Sequence, residues 1–170
     1  MSETGTGAAD EAIAAFWNDA KHRAKLTTMP GYFGANPTEA VPPPAWSFGA
    51  TPEHADELLA LVLEGTKTAT ASALWDYEAE DEPLPEVGTL GIVLDSAGRP
   101  QALLVTTEVT VVPFDEVDEE HARLEGEGDR SLAYWRQVHE EFFTDHATHG
   151  HGFRSDMPVV LERFEVLHRA

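Results

Sequence analysis

The chain has 170 residues, 42% of them apolar and 25% charged, and contains no cysteine. That length suits one ordinary hydrophobic core without metal or disulfide staples, and the missing cysteines exclude disulfides and thiolate catalysis. Eleven basic residues face 31 acidic ones, a formal charge of −20, which repels a polyanion at long range but leaves room for a local basic cleft or a short, uncharged substrate.

The stretch Met1–Asp10 is small and polar; it lacks the basic start and apolar run of a signal peptide and reads as a disordered leader. No run of about 18 apolar residues predicts a membrane span, so a cytoplasmic location is the simplest expectation. A single domain is expected over 11–170. From Glu11 to Lys25, Ile13, Phe16, Trp17 and Ala20 fall on one helical face. Residues 27–50 are rich in proline and glycine and read as a long irregular segment, with Tyr32, Phe33, Trp46 and Phe48 to pack it against the domain. Thr51-Pro52-Glu53 is a helix start: a capping hydroxyl, proline at the first helical position, then an acid. That helix carries Leu58, Leu59, Val62 and Leu63, and Gly65 ends it. Thr66–Ala73 suits a strand. Gly88–Asp95 and Gln101–Val112 read as strands joined at Ala97-Gly98. Asp115–Asp129 holds eight carboxylates in fifteen residues, with a short helix from about Asp118. Ser131 caps a helix over Leu132–Phe143, a His/Gly-rich loop covers Thr144–Asp156, and Pro158–Leu167 is a final strand. Strands separated by helices, with a long central hairpin, predict an α+β barrel with helices outside.

Only three lysines exist, and Lys67 stands alone, directly after a helix, in Gly65-Thr66-Lys67-Thr68-Ala69-Thr70. Small neighbours leave space for a ligand near its ammonium. A desolvated Lys67 suits a base or nucleophile, whereas a charged one would pair with a phosphate or an oxyanion. On spacing alone, the plainer reading is an exposed lysine favoured by the negative helix end. In His121-Ala122-Arg123-Leu124-Glu125-Gly126-Glu127-Gly128-Asp129 three acids alternate with glycines. The segment could hold Mg²⁺ or supply an acid or base, although its default reading is a solvated acidic turn. His146, His149 and His151 have zinc-compatible spacings but no zincin pattern, so a polar loop is preferred to a metal site. Trp75 is a candidate pocket wall for stacking a base, Trp135 a core residue, and Arg136 and His139 lie three apart on one helix, within reach of a common anion.

In order along the chain, Trp17, Phe48-Gly49, Ala55–Leu58, Gly65, Lys67–Thr70, Trp75, Val87-Gly88, Glu125–Asp129, Tyr134–Arg136, His139 and Phe142-Phe143 resemble the larger bacterial subgroup of the ASCH-domain family, relatives of the PUA fold. The resemblance covers roughly residues 15–167. It implies a PUA-like central β-barrel flanked by α-helices, with a cleft between them. Related proteins are linked to binding or cleaving single-stranded RNA with a divalent ion, and a shorter branch hydrolyses the amide of N4-acetylcytidine. The resemblance therefore implies an RNA-acting protein. The expected activity is a ribonuclease on single-stranded RNA with a Lys/Glu-containing cleft. The alternatives are an amidohydrolase for N4-acetylcytidine and a non-catalytic RNA or nucleotide binding module. It also implies Lys67, Thr70 and Glu125 as the catalytic set. Trp75, Ser72, Arg136, His139 and Glu127 are expected around the substrate, with no metal site assigned and Mg²⁺ as an ion that RNA cleavage could use. One departure stands out: the short branch carries an arginine where this chain has Ser72. That contact is either absent here or supplied by Arg136 or Arg154.

Overall fold

The computed structural model describes residues 3–23 and 41–170. Along the chain run α1 (Glu3–Arg23), β1 (Ala45–Trp46), α2 (Pro52–Leu63), β2 (Ala69–Ala73), α3 (Leu74–Ala79), β3 (Leu90–Leu94) and β4 (Pro100–Pro113). A 3-10 turn (Phe114–Glu116), α4 (Glu119–Glu125), α5 (Leu132–Asp145) and β5 (Pro158–Arg169) follow. The strand order is β1-β3-β4-β5-β2. The α+β class expected from the sequence holds, but the sheet is not closed into a barrel among the described residues. Its end strand β1 is two residues long, too short to carry a closing ladder.

Two compact units divide the chain, one formed by residues 1–63, 88–105 and 165–170, the other by 64–87 and 106–164. In the first, Phe16, Trp17 and Ala20 of α1 bury against Ile92 and Leu103. These are the residues whose helical spacing predicted a helix over Glu11–Lys25. The helix starts earlier, at Glu3, so residues 3–10, expected as a leader, form its first turns. Lys25, Tyr32 and Phe33 lie outside the described residues, and the expected irregular segment contains β1, which pairs in parallel with β3 (Ala45↔Ile92). α2 begins as its sequence demands: Thr51 Oγ1 accepts the His54 N–H at 3.1 Å, and Ala55, Leu58, Leu59 and Val62 line its buried face. The β3–β4 hairpin forms at the expected place, its turn held by Asp95 Oδ1, which accepts the Ala97 and Arg99 N–H groups at 2.9 Å.

The second unit carries the candidate site. β2 pairs antiparallel with β5, from Ala69↔Arg163 to Ala73↔Val159. Ala73, Val159 and Leu161 enter a core with Phe114, Val117, Ala122, Trp135, Phe143 and Met157. That core fixes α4 and α5 over one face of the ladder. Asp118 caps α4 by accepting the His121 N–H at 2.8 Å; Ser131 caps α5 by accepting the Tyr134 N–H at 3.1 Å. The sequence showed both helix starts; in this unit α3 and the 3-10 turn were not anticipated.

Candidate functional site

Two backbone contacts bring Lys67 and the acidic segment together. The Thr68 N–H donates to Leu124 O at 2.8 Å, tying the strand that leads into β2 to the last turn of α4. Gly126 then ends α4 in the left-handed region (φ 74°). A Cβ there would sit 2.6 Å from Thr66 O, so only glycine allows the two chains to approach this closely. The consequence is a lysine that is 2% exposed beside a glutamate that is 1% exposed. The exposed-lysine and solvated-turn readings of the sequence therefore give way to burial. Lys67 Nζ donates to Ala69 O at 2.8 Å and lies 3.5 Å from Glu125 Oε1 and 3.3 Å from Glu127 Oε2.

Glu125 is saturated with donors. Its Oε1 faces Lys67 Nζ at 3.5 Å and His139 Nε2 at 3.3 Å. Its Oε2 accepts from His121 Nε2 at 2.7 Å and from the Trp135 indole N–H. Burial by itself would favour the neutral acid, but the His139 and Lys67 charges and the histidine hydrogen bonds outweigh it and hold the carboxyl well below its usual range. His139 responds in the opposite direction. Desolvation opposes its charge, yet Glu125 and Glu127 raise its pKa above the usual value. Its Nδ1 lies 2.8 Å from Trp135 O, an acceptor only, and its Nε2 faces the carboxylate, so both ring nitrogens donate and the ring is an imidazolium. Two cations, Lys67 and His139, thus balance two carboxylates. An ionised Glu125 only accepts, so the His121 Nε2 that faces its Oε2 at 2.7 Å carries a proton.

The other expected site residues are dispersed. Thr70 stands across from Glu162 in the β2–β5 ladder, on the strand face opposite Ala69, Ala71 and Ala73. Ser72 shares that face and hydrogen-bonds Tyr77. Trp75, expected as a pocket wall, packs against the core and meets His151 tilted and His149 edge-on, ring centroids 4.6 and 5.2 Å away. Arg136 is exposed and donates to Asp115 O at 3.2 Å; it does not join His139 on a common anion. Arg154 pairs with Asp156 at 3.0 Å. Sequence reading missed Trp135 and His121 as direct partners of Glu125. The signal for His121 was its i,i+4 spacing from Glu125 on a helix; the indole had no signal, because its apolar spacing already explained it.

Metal fit is poor on the donor chemistry. Ligand atoms of Glu125, Glu127 and His139 lie within 4.8 Å of one another, but the Lys67 ammonium already contacts both carboxylates and His139 has no free lone pair. In the His-rich loop, His149 Nδ1 accepts the His151 N–H at 3.2 Å. His149 Nε2 therefore carries the proton and cannot ligate zinc.

Residues 44–168 match the ASCH domain family. Two solved structures are similar over most of their length. One is an Enterococcus faecalis V583 protein of the family DUF984, 33% identical, with 92% of this chain and 88% of that chain covered and a TM-score of 0.77. The other is the ASCH domain from Lactobacillus crispatus JV V101, 31% identical, with 92% and 94% covered and a TM-score of 0.77. No curated protein matches the chain.

Proposed function

Because the chain belongs to the ASCH domain family, we propose that it is a hydrolase for a small, uncharged nucleoside amide of the N4-acetylcytidine type, with Lys67 and its carboxylates at the centre. One observation carries this reading: the Lys67 ammonium is enclosed by Glu125 and Glu127 at 3.5 and 3.3 Å, and His139 balances the remaining charge. A phosphate-gripping lysine needs its charge free for the anion, and Lys67 already faces two carboxylates. A total charge of −20 points the same way. The ribonuclease expected from the resemblance would ask this cluster to hold a polyanion or Mg²⁺, and its donor set suits neither.

Amide hydrolysis asks for different groups. A Lys67 N–H would polarise the acyl carbonyl and stabilise the oxyanion that forms there. Glu127, half-buried and therefore nearest solvent, would take a proton from the attacking water. Glu125, held ionised by four donors, is a poor proton shuttle; its role is to fix Lys67, His139 and Trp135 in place. Water oxygen bonds the acyl carbon, the carbon–nitrogen bond breaks, a proton passes to the leaving amine, and acetate and cytidine result.

The test is release of acetate from N4-acetylcytidine, followed by chromatography. Turnover should fall by roughly 10²–10³ in Lys67→Ala, the loss typical of one oxyanion donor, with the variant's fold checked by circular dichroism. Equal turnover in wild type and Lys67→Ala would sink the reading. Cleavage of labelled single-stranded RNA with Mg²⁺ that disappears in both Lys67→Ala and Glu125→Ala would replace it with the nuclease.

A further inference from the structure

A pocket of about 220 Å³ lies within the second unit, and His121 joins it to the buried cluster. Strand alternation builds its wall. Leu161 and Arg163, two apart on β5, stand across from Ala71 and Ala69, and Leu161 belongs to the core that holds Trp135. Thr110 and Glu108 line the pocket from β4. Glu116 and the α4 cap Asp118 stand at the rim, and His121 completes the lining.

His121 gives this pocket a use. The residue is 4% exposed, and its Nε2 donates to Glu125 Oε2 at 2.7 Å. That bond fixes the ring and leaves Nδ1 as the second nitrogen, a lone pair when the ring is neutral. Nδ1 makes no hydrogen bond among the described residues. It is not sealed in the protein either: the one buried side-chain nitrogen or oxygen without a partner among the described residues is His149 Nε2. Nδ1 therefore opens onto the space that His121 lines, which is this pocket. An almost fully buried ring with one nitrogen spent on the protein and the other facing a cavity calls for a partner there.

Charge and spacing select the partner. Arg163 is the one lysine or arginine in the lining, and it already faces Glu108 at 3.4 Å, so an anion finds no free positive group. Glu116 and Asp118 remain as net negative charge. Asp118 has committed one oxygen, Oδ1, to the His121 N–H at 2.8 Å. A divalent metal ion needs closely converging ligands. Among the described residues, three such ligand atoms within 4.8 Å of one another occur in Glu125, Glu127 and His139, and not in this pocket. Acceptors spread around a cavity instead suit an organic cation, whose N–H groups reach separate acceptors while an apolar stem rests on Leu161.

We infer that this pocket binds a small organic ammonium ion, with His121 Nδ1 and the Glu116 and Asp118 carboxylates accepting its N–H groups and Leu161 meeting its apolar stem. The site is separate from the one at Lys67 and does not rest on the hydrolase reading. Lys67 faces Oε1 of Glu125 and His121 holds Oε2, so the carboxylate and the imidazole ring stand between the two.

The probe is benzylamine, a cation at neutral pH, titrated into ¹⁵N-labelled protein and followed in the imidazole ¹H–¹⁵N spectrum. Salt at about 0.15 M screens diffuse attraction to the acidic chain. The His121 Nδ1 resonance should move as benzylamine is added. Benzyl alcohol lacks the charge and benzyltrimethylammonium lacks the N–H groups; both should bind roughly 10-fold or more weakly, the scale of a hydrogen bond to a charged group. The double variant Glu116→Gln/Asp118→Asn should weaken benzylamine several-fold, as exposed ion pairs do, and asparagine still caps α4. Thr110→Phe, which puts a ring into the cavity from an exposed strand position, should abolish binding, with thermal melts checking each fold. A still His121 resonance, equal affinity for either control compound, or benzylamine binding unchanged in Thr110→Phe overturns the site. Acetate release should persist in Thr110→Phe; its loss would make the pocket part of the hydrolytic site and overturn the separate one. Benzylamine binding at His121 without acetate release in wild type sinks the hydrolase and leaves this site standing.

Discussion

Replacing Glu125 by glutamine removes one negative charge from the middle of the buried cluster while keeping nearly the same volume. At 3.5 Å from Lys67 and 3.3 Å from His139, each attraction is about 5 kcal/mol at an effective dielectric constant of ~20. Desolvation offsets much of that in the intact protein. In the variant the desolvation of Lys67 and His139 persists with Glu127 as their remaining carboxylate. The amide nitrogen also meets donors from His121 or His139 where an acceptor stood. Cutting a buried pair on one side costs about 3–5 kcal/mol, a large part of the roughly 5–15 kcal/mol that holds a domain folded. Urea unfolding at pH 7, followed by tryptophan fluorescence, reads this directly. With a slope near 2 kcal/mol per molar, the midpoint should fall by about 2 M. The double change Lys67→Met/Glu125→Leu should be less destabilised than the sum of its single changes, since it removes both charges together. A midpoint shift below about 0.5 M in Glu125→Gln would show that the cluster is hydrated or loosely held, and the reasoning from burial would fail.

Stability should also depend on pH from both sides. Glu125 is depressed from its usual 4.5, so its contribution is complete above that value and is lost as pH falls through its lower folded pKa. His139 is raised from 6.5, so its contribution is complete below that value and is lost as pH rises through its higher folded pKa. Both are fully present between pH 4.5 and 6.5, and the melting temperature should peak there; His139→Gln should flatten the alkaline side, and an unchanged alkaline limb would contradict its imidazolium. Gly126→Ala meets Thr66 O at 2.6 Å in addition to its positive φ, whereas Gly65 (φ 86°) has open space. Gly65→Ala should cost about 1–2 kcal/mol by chemical denaturation and Gly126→Ala at least twice as much; equal losses would mean that the two strands need not approach closely. In acetate-release kinetics, Trp135→Phe keeps an aromatic ring in the core but removes the indole donor to Glu125. Its kcat should fall several-fold while KM holds, and a changed KM alone would place Trp135 in binding instead.

Much of the second unit was legible because local chemistry wrote it. Asp118 and Ser131 announce helix starts since their side chains satisfy orphan N–H groups. Gly65 announces a stop, and the apolar run Val159–Leu161 marks a strand, all three residues of which are buried. α3 was missed because Leu74–Ala79 follows a strand without a cap hydrogen bond, leaving no signal at its start. The helical first turns of α1 were missed because Met1–Asp10 is small and polar and read as a leader. Barrel closure was expected from the order of strands and helices as well as from the resemblance, and it depends on pairing between strands far apart in sequence, which no local pattern reports.

The candidate site divides along the same line. The sequence by itself determined that Lys67 is solitary, that it follows a helix stop, and that Glu125 sits four residues after His121 on a short helix. These are facts of composition and spacing. Only the tertiary structure decided what they mean. Close passage of the strand past Gly126 buries Lys67 against Glu125, and burial turns a surface charge into one that must be paired. Strand register then sends Thr70 to the other face, beside Glu162. A shift of one residue would reverse that assignment, and register is set by the core that the whole unit packs, not by the residues whose roles it decides.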